Sequence, residues 1–560
     1  MAGTANGGLI VPPTLQALLS ARLDQLDSAE RRVLERGAVE GEVFHRGAVQ
    51  ALLPEEAQVT PRLAGLTRKE LIRPERAQLP GEDGFRFRHL LIRDAAYDAL
   101  PKGTRAELHE RFASWLEGRG TELVELDELL GYHLEQASRY QVELGLPPDH
   151  ALTSRARNRL FAAAARARAL GDETAAISLL RRSLELVPPS EIDIGLEAEL
   201  ADALFWAGRV DEALARAIEL AERGGTLGNE VAELVGRLKE GHFRLHVDPE
   251  GQTGQLAGLV QRALPVFEAA GDDAALYVGY FAAGWAESMA LRWSTMIESL
   301  DRAADHARRA GLANELVGWR ANARMSGPAP LSEVLAWLDE QQERWGSLHS
   351  LRSIRAQALS MLGRFDEARS ILAEVRAEQK ERGAGLQLGI GLAHTDVTVE
   401  LLAGDPGRAV EVGEEGCRML DQLGEQSLLS TAAGYLAQAY YALGRIEDSD
   451  LWVARAAELG ASDDTLTQML WRQVRAKVLA RRGEHEEAEH VAREAAALAD
   501  TTEMPNAQGD VYADVGEVLL LAGRRGEATE ALERALQHYE RKGNVVMAER
   551  VRERLAAPAR

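Results

Sequence analysis

The sequence predicts a mostly α-helical protein in which a small N-terminal module precedes a long array of paired helices. The 560 residues are 46% hydrophobic but only 5% aromatic, and the abundant Ala, Leu, Glu and Arg are good helix formers. A glycine followed five residues later by an alanine also recurs along the chain. Because one hydrophobic core rarely exceeds about 300 residues, a chain of this length holds several domains or a repeat array.

The recurring glycine marks a bend between two helices. The last five of these glycines, from Gly363 to Gly523, lie 41, 40, 39 and 40 residues apart. Glycine adopts the left-handed conformation that such bends often need, and the small alanine lets two helix backbones approach closely. The pairs are Gly171/Ala176, Gly208/Ala213, Gly363/Ala368, Gly404/Ala409, Gly483/Ala488 and Gly523/Ala528, with Ser449 in the alanine position after Gly444.

This pattern resembles the tetratricopeptide repeat. The leucine, small, tyrosine and bend positions of that repeat are matched by Leu436, Ala437, Tyr440 and Gly444. The resemblance implies an α-solenoid of tetratricopeptide-like hairpins over residues 158–560, because one hairpin cannot bury its apolar face alone. Residues 208–363 lack clear glycine–alanine pairs between these limits, and we expect about four degenerate hairpins there. A polar stretch at 241–254 is expected to form a connector between repeats.

The first 120 residues show a different order of elements. Amphipathic helices are predicted within residues 14–120, one of them with an N-cap near Asp27–Ser28. The turn-rich QLPGEDG lies between LIRPE and FRFRH, which predicts a β-hairpin. Helices followed by a two-stranded wing are typical of a winged-helix-like module. We expect residues 1–13 to form a disordered tail and residues 121–157 to form connecting helices.

A second resemblance covers residues 10–140. Its segments are VPPTLQALLSARLDQL, ERRVLERGAVEGEVFHRGAVQAL, LTRKELIRPE, FRFRHLLIRDAAYDALP, RAELHERFASWLE and ELLGYHLEQA. They look like a family of large bacterial signalling proteins with an AAA-type signal-transduction ATPase, a winged helix and a C-terminal tetratricopeptide array. Many members also carry a class III adenylate/guanylate cyclase domain. The resemblance implies that the array binds a protein or peptide and is coupled to an ATPase or cyclase module in cis or in trans.

The chain departs from this family before Val11. Family members have an ATPase core there, whereas this sequence has ten residues. No G-x-x-x-x-G-K-[ST] phosphate loop occurs in the 560 residues, and that loop is what cradles nucleotide phosphates. We therefore expect a non-enzymatic chain without a cofactor, which corresponds to the regulatory C-terminal half of the family. The alternative is that the chain is a fragment of an ATP-binding cyclase or ATPase.

Two residues after the wing are candidates for nucleotide sensing. In signal-transduction ATPases a winged-helix histidine often contacts the phosphate of the bound nucleotide. The resemblance places His89, with Arg93 one turn later, in that role toward an ATPase module. The alternative is a structural histidine at a strand-to-helix junction.

A third hypothesis is a transcription regulator that reads DNA through the winged helix. The cationic side chains near the recognition-helix position are Arg68, Lys69, Arg73 and Arg76. Residues 1–118, however, hold 16 Lys and Arg against 17 Asp and Glu. A DNA-reading module usually has a net positive face, so the balance favours packing against protein over DNA binding.

The concave face of the array is the remaining candidate site. In a stacked array the first helix of each hairpin lines that face, which usually binds a peptide or protein. The register places six side chains there, namely Gln357, Gln438, Tyr441, Gln473, Lys477 and Glu517. Residues 119–560 carry a net charge of −22, which favours a basic or neutral partner.

Charge and cysteine content restrict the remaining classes of function. The net charge of −23 disfavours non-specific binding to nucleic acid or to an anionic membrane. The single cysteine, Cys417, excludes an internal disulfide and a cysteine metal cluster and suits a reducing compartment. His485 and His490 are five residues apart and do not fit the HExxH zinc helix. The sequence has neither a secretory leader nor a run of about 20 apolar residues, and a cytoplasmic location is expected.

Overall fold

The computed structural model describes residues 22–119, 123, 125–147, 149–312, 316–346 and 348–556. It is about 78% helical, which confirms the predicted mostly α fold. The chain divides into two units. Unit 1 comprises the described part of Met1–Ala164 with Leu179–Pro188, and unit 2 comprises Ala165–Ser178 with the described part of Pro189–Arg560. The tail predicted for residues 1–13 lies outside the described residues. No described helix combines the length and apolarity needed to cross a lipid bilayer.

Unit 1 combines helices with a three-stranded antiparallel sheet. Strands β1 (Val43–His45) and β2 (Ile72–Glu75) flank β3 (Gly84–Phe87), and Phe44 lies opposite Phe85. The β2–β3 pair confirms the predicted hairpin, while β1 is a third strand that the sequence did not indicate. The helices are α1 (Ser28–Glu40), α2 (Arg46–Leu52), α3 (Val59–Arg68), α4 (Leu90–Asp98), α5 (Lys102–Glu117) and α6 (Leu126–Glu143).

The core of unit 1 forms where apolar helix faces meet this sheet. Val33 and Leu34 on α1, Leu63 on α3 and Phe44 on β1 are fully buried. The rings of Phe44 and Phe87 lie 5.2 Å apart. Full burial of one large apolar side chain stabilises a folded protein by about 1.5–3 kcal/mol. The sheet and the helices, which share this core, therefore form one folded unit.

Unit 2 is a solenoid of antiparallel helical hairpins. Its first two helices, α7 (His150–Ala169) and α8 (Glu173–Glu185), also contribute residues to unit 1. The next helices are α9 (Ile194–Trp206), α10 (Val210–Leu227), α11 (Glu230–Val247), α12 (Gln252–Ala270), α13 (Asp273–Met289), α14 (Trp293–Arg309), α15 (Val317–Ser326), α16 (Leu331–Trp345) and α17 (His349–Met361).

The C-terminal part of unit 2 continues the same arrangement. A π-helical segment, Gly391–Asp396, interrupts it between α19 and α20. The helices are α18 (Phe365–Glu381), α19 (Gly385–Ile390), α20 (Val397–Ala403), α21 (Pro406–Gln422), α22 (Gln426–Ala442), α23 (Ile446–Leu459), α24 (Thr465–Arg481), α25 (His485–Ala499), α26 (Pro505–Leu521), α27 (Arg525–Lys542) and α28 (Val545–Ala556).

The bends and close helix contacts predicted from the repeat are confirmed. Gly444 lies between α22 and α23 with a φ of 81°, and Gly483 lies between α24 and α25 with a φ of 84°. Residues other than glycine are strained in this conformation. A Cβ atom on Gly416 would lie 2.5 Å from the backbone nitrogen of Ala393. Small residues therefore let neighbouring helices touch at the backbone.

The middle of the array, residues 208–363, contains eight helices, α10 to α17, in its described part. The connector predicted at 241–254 is wrong over most of its length, because only four residues separate α11 from α12. His242, Phe243 and His246 are all buried on α11. The polar residues that suggested a loop therefore include two histidines that are buried within a helix.

Candidate functional site

Unit 2 contains a groove of about 1320 Å³. Its wall runs from Ala165 to Arg554 and includes side chains from the beginning, middle and end of the array. All six residues that the repeat register places on the concave face line this groove, namely Gln357, Gln438, Tyr441, Gln473, Lys477 and Glu517. The structure brings the six together on one surface, and their role in binding a partner stays a prediction.

Side-chain amides form part of the groove wall. Gln438 on α22 donates from Nε2 to Oε1 of Gln473 on α24, at 3.2 Å. Gln357 on α17 donates from Nε2 to the Thr395 hydroxyl at 3.2 Å. Thr395 lies in the π-helical segment, and π-helical turns are frequent at functional sites. Equivalent positions of different hairpins therefore present amides to the same space.

Tyr441 is the centre of a charged network in the wall. Its hydroxyl donates to Glu517 Oε1 at 2.7 Å and accepts from Arg481 Nε at 3.0 Å. The Lys477 ammonium lies 4.8 Å from the centre of the Tyr441 ring and 3.0 Å from Asp514 Oδ1. Lys477 is only 7% exposed, and a buried charge needs such partners. Each ionic group of this network is therefore paired within the protein.

Burial shifts the titration of the carboxyl groups in this network. Burial, assisted by the Asp514 charge, raises the pKa of Asp510 to about 6, although the Tyr539 hydroxyl donates to Asp510 Oδ1 at 2.5 Å. Burial also raises the pKa of Asp514. For Glu517, burial acts in the same direction, but the Lys477 charge and the Tyr441 hydroxyl outweigh it and lower the pKa.

Aromatic side chains dominate another part of the groove wall. The rings of Trp285 and Trp319 lie 4.6 Å apart and nearly perpendicular, and Trp206 lies 6.0 Å from Trp319. His246 Nδ1 is 2.5 Å from Glu425 Oε1. The other ring nitrogen of His246 and the indole nitrogen of Trp285 are buried and have no hydrogen-bond partner among the described residues. This part of the wall is mostly apolar, with an indole N–H and an imidazole nitrogen beneath it that have no partner among the described residues.

Methionines are among the groove residues that the repeat register does not place there. Met419 alone, of the eight methionines in the described residues, lies outside the groove wall. A signal was available, because the sequence has no methionine between Met1 and Met289 and eight from Met289 to Met547. The seven that line the groove are Met289, Met296, Met325, Met361, Met469, Met504 and Met547.

The candidate nucleotide-sensing residues lie in unit 1. His89 is exposed immediately before α4. Arg93 is half-buried, donates from Nε to the Ala38 carbonyl at 3.0 Å and lies 4.8 Å from the centre of the Tyr97 ring. Arg93 is thus used inside the unit, whereas His89 is open to solvent.

The cations proposed for DNA contact are partly neutralised within unit 1. Lys69 forms a hydrogen bond with the carboxylate of Glu30. Arg73 lies 3.6 Å from Glu75. A phosphate would have to compete with these carboxylates for two of the four cations, and the arrangement adds nothing to the DNA hypothesis.

The single cysteine and the histidines give no sign of catalytic or metal chemistry. Cys417 is buried, and burial raises the pKa of its thiol to about 12, which keeps it protonated and a poor nucleophile. The described residues contain no group of three or more His, Cys, Asp and Glu side chains placed to hold a metal ion.

Comparison with known proteins identifies the fold and no family. No family model matches the chain. An uncharacterized protein of Rhizobium meliloti (strain 1021) is 33% identical over 106 residues, which are 19% of this chain and 10% of that protein. The chain thus spans a tenth of the length of this relative.

Solved structures with a similar fold are helical repeat proteins. The Cut9 and Hcn1 assembly of APC/C matches with a TM-score of 0.50 at 11% identity, over 83% of this chain and 86% of that one. A signal-transduction ATPase with a tetratricopeptide repeat sensor from Pyrococcus horikoshii matches with a TM-score of 0.36 at 14% identity. The match covers 98% of this chain and 67% of that chain. The match to the Cut9 and Hcn1 assembly supports a tetratricopeptide-like α-solenoid fold for this chain.

Proposed function

We propose that the protein is a regulatory interaction module of bacterial signalling, in which the groove of unit 2 binds a protein or peptide. The observation that supports the proposal is the convergence of side chains from hairpins along the whole array on one groove of about 1320 Å³. A cavity of that size is larger than the roughly 300–1000 Å³ of most small-molecule sites. A reducing, cytoplasmic location is part of the proposal and is supported by the lone buried Cys417.

Selection from a displayed library of random peptides, with the full chain immobilised, tests this proposal. We expect peptides to be enriched, and we expect Gln438→Ala combined with Lys477→Gln to weaken their binding by about tenfold. Arg493→Gln is the control, because Arg493 lies on the second helix of its hairpin and is 63% exposed. Failure to enrich any peptide, or equal loss in the control variant, would contradict the proposal.

For unit 1 we propose a winged-helix role that couples the array to a signal-transduction ATPase. The order of helix, strand, two helices and a two-stranded hairpin supports this role, as does the exposed His89. The chain itself is expected to have no ATPase or cyclase activity, because its sequence has no phosphate loop. Equilibrium dialysis with ATP tests this expectation, and micromolar binding by the purified chain would favour the alternative that it is part of an ATP-binding enzyme.

A further inference from the structure

We infer that the ligand of the groove is an uncharged, apolar peptide segment whose main chain is held by side-chain amides. This inference rests on the proposed function and specifies its ligand class. It follows from three independent properties of the groove wall, which are its methionines, its amides and its charge balance.

The methionines make the groove apolar and adaptable. Met361 at the end of α17 and Met504 before α26 are half-buried in the wall, and Met547 on α28 is too. Methionine is unbranched and polarizable, so it adjusts to apolar side chains of different shape. Proteins that accept several apolar peptides use such surfaces. Seven methionines around one groove therefore predict contact with apolar side chains.

The amides supply hydrogen bonds that do not depend on the side chains of the ligand. Gln438 Oε1 and Gln357 Oε1 have no hydrogen-bond partner among the described residues, while each Nε2 is already used. A carbonyl oxygen of this kind accepts a bond from a peptide N–H group. Both residues are half-buried on first helices of the array. They can therefore bind the main chain of an apolar segment.

The charges of the groove wall are nearly balanced, and four of its cationic side chains are paired with carboxylates of the same wall. Six cationic and seven acidic side chains of the described residues line it, although the whole chain has a net charge of −23. Lys477 forms an ion pair with Asp514 at 3.0 Å, and Glu378 forms one with Arg352 at 2.6 Å. A charged ligand side chain would have to break such a pair or remain unpaired in a partly buried site. A wall with nearly equal numbers of both charges favours an uncharged ligand, which is the neutral option of the partner prediction made from the sequence.

Three peptide libraries of equal length test the inference on the wild-type full chain. One contains only uncharged residues, the second adds Lys and Arg, and the third adds Asp and Glu. We expect enrichment from the uncharged library and, in the other two, selection against charged positions. The affinity of a selected peptide should change less than about twofold between low and high salt.

Matched variants locate the binding. Met361→Gln and Met504→Gln each replace a groove methionine by a polar residue of similar length, and each should weaken a selected peptide about fivefold or more. Met419→Gln is the control, because Met419 is also half-buried but lies outside the groove, and it should leave the affinity within about twofold. Thermal unfolding of each variant shows whether its fold is intact.

The outcomes separate the two proposals. Selection of basic or acidic peptides that compete for the groove would overturn the inference and leave the proposed function standing. The inference would also be overturned if Met361→Gln and Met504→Gln left the affinity of a selected uncharged peptide unchanged while Met419→Gln weakened it. Failure of all three libraries would contradict both proposals.

Discussion

Unit 1 and unit 2 both have apolar cores, but in the described residues each also has a contact that the other lacks. In unit 2 the same contact recurs, in which a small residue of one helix meets the backbone of the next, as Gly416 meets Ala393. In unit 1 a single buried cluster joins α4, α5 and α6. His109 Nδ1 lies 2.8 Å from His133 Nδ1, and His109 Nε2 lies 2.7 Å from the Tyr97 hydroxyl.

These two contacts should respond differently to substitution and to pH. A recurring apolar contact has neighbours of the same kind and does not titrate. A single polar cluster has no substitute and contains groups that can gain a proton. The following experiments test the comparison, beginning with the largest expected effect.

A large side chain at a helix contact of unit 2 should destabilise it most. Gly416→Leu would force atoms into the backbone of Ala393, and overpacking of this kind is expected to lower the free energy of unfolding by about 3 kcal/mol or more. Denaturant unfolding measures this change. Gly526→Ala is the control, because nothing lies within 4 Å of its Cβ position. An equal loss in both variants would contradict the close-contact explanation.

Unit 2 also has contacts that do not repeat, and one of them involves the side chain of Lys542. The buried ammonium of Lys542 donates to the carbonyls of Gly327 at 2.8 Å and Ala329 at 2.7 Å. Lys542→Met should lower the free energy of unfolding by about 2–3 kcal/mol, because it leaves those carbonyls unpaired. Lys380→Met, at an exposed position of α18, should change it by less than about 0.5 kcal/mol. Similar melting temperatures for the two variants would show that the Lys542 contact is dispensable.

Acid should destabilise unit 1 through its histidine pair. Burial lowers the pKa of His133 to about 3 and also lowers the pKa of His109, whereas an unfolded histidine titrates near 6.5. Between about pH 6.5 and 3 the unfolded chain takes up protons that the folded unit excludes. The two histidines therefore do not lower the free energy of unfolding above about pH 6.5. Below that pH, each histidine lowers it by up to about 1.4 kcal/mol per pH unit.

Hydrogen exchange of α5 and α6 across this pH range measures the acid-induced loss of stability of unit 1. His133→Gln removes one titrating group and should make the pH dependence shallower, whatever its effect on stability at pH 7. A slope that is unchanged in this variant would contradict the role of the pair.

The smallest effect is expected at the start of α1. Asp27 Oδ1 accepts hydrogen bonds from the backbone nitrogens of Ala29 and Glu30, both at 2.9 Å. Asp27→Ala should lower the free energy of unfolding of unit 1 by about 1 kcal/mol. Asp27→Asn should retain most of the stabilisation that the cap provides. Thermal unfolding of the two variants distinguishes a capping role from a role of the charge alone.

The two units also differ in how far their structure follows from sequence. The bends at Gly444 and Gly483 and the β2–β3 hairpin were predictable, because glycine bends and turn-rich segments have local causes. The buried His109–His133 contact was not, because it joins residues 24 positions apart and nothing local marks it. The helical state of residues 241–247 was missed for the same reason, since His242 and His246 are polar by type but buried by tertiary contacts.

For the candidate site, the repeat register was sufficient to place Gln357, Gln438 and Glu517 on one surface. It could not predict the Tyr441 network, because the network joins side chains of α22, α24 and α26 that meet only after the hairpins stack. It also gave no reason to connect the methionines, which occupy different positions of their hairpins.

The most direct test of the central claim is hydrogen exchange of the full chain with and without a peptide selected from the uncharged library. Binding in the groove predicts new protection on α17, α22, α24 and α26, with little change on the second helices α23 and α25. Protection confined to the second helices, or to unit 1, would contradict the assignment of the groove as the docking surface.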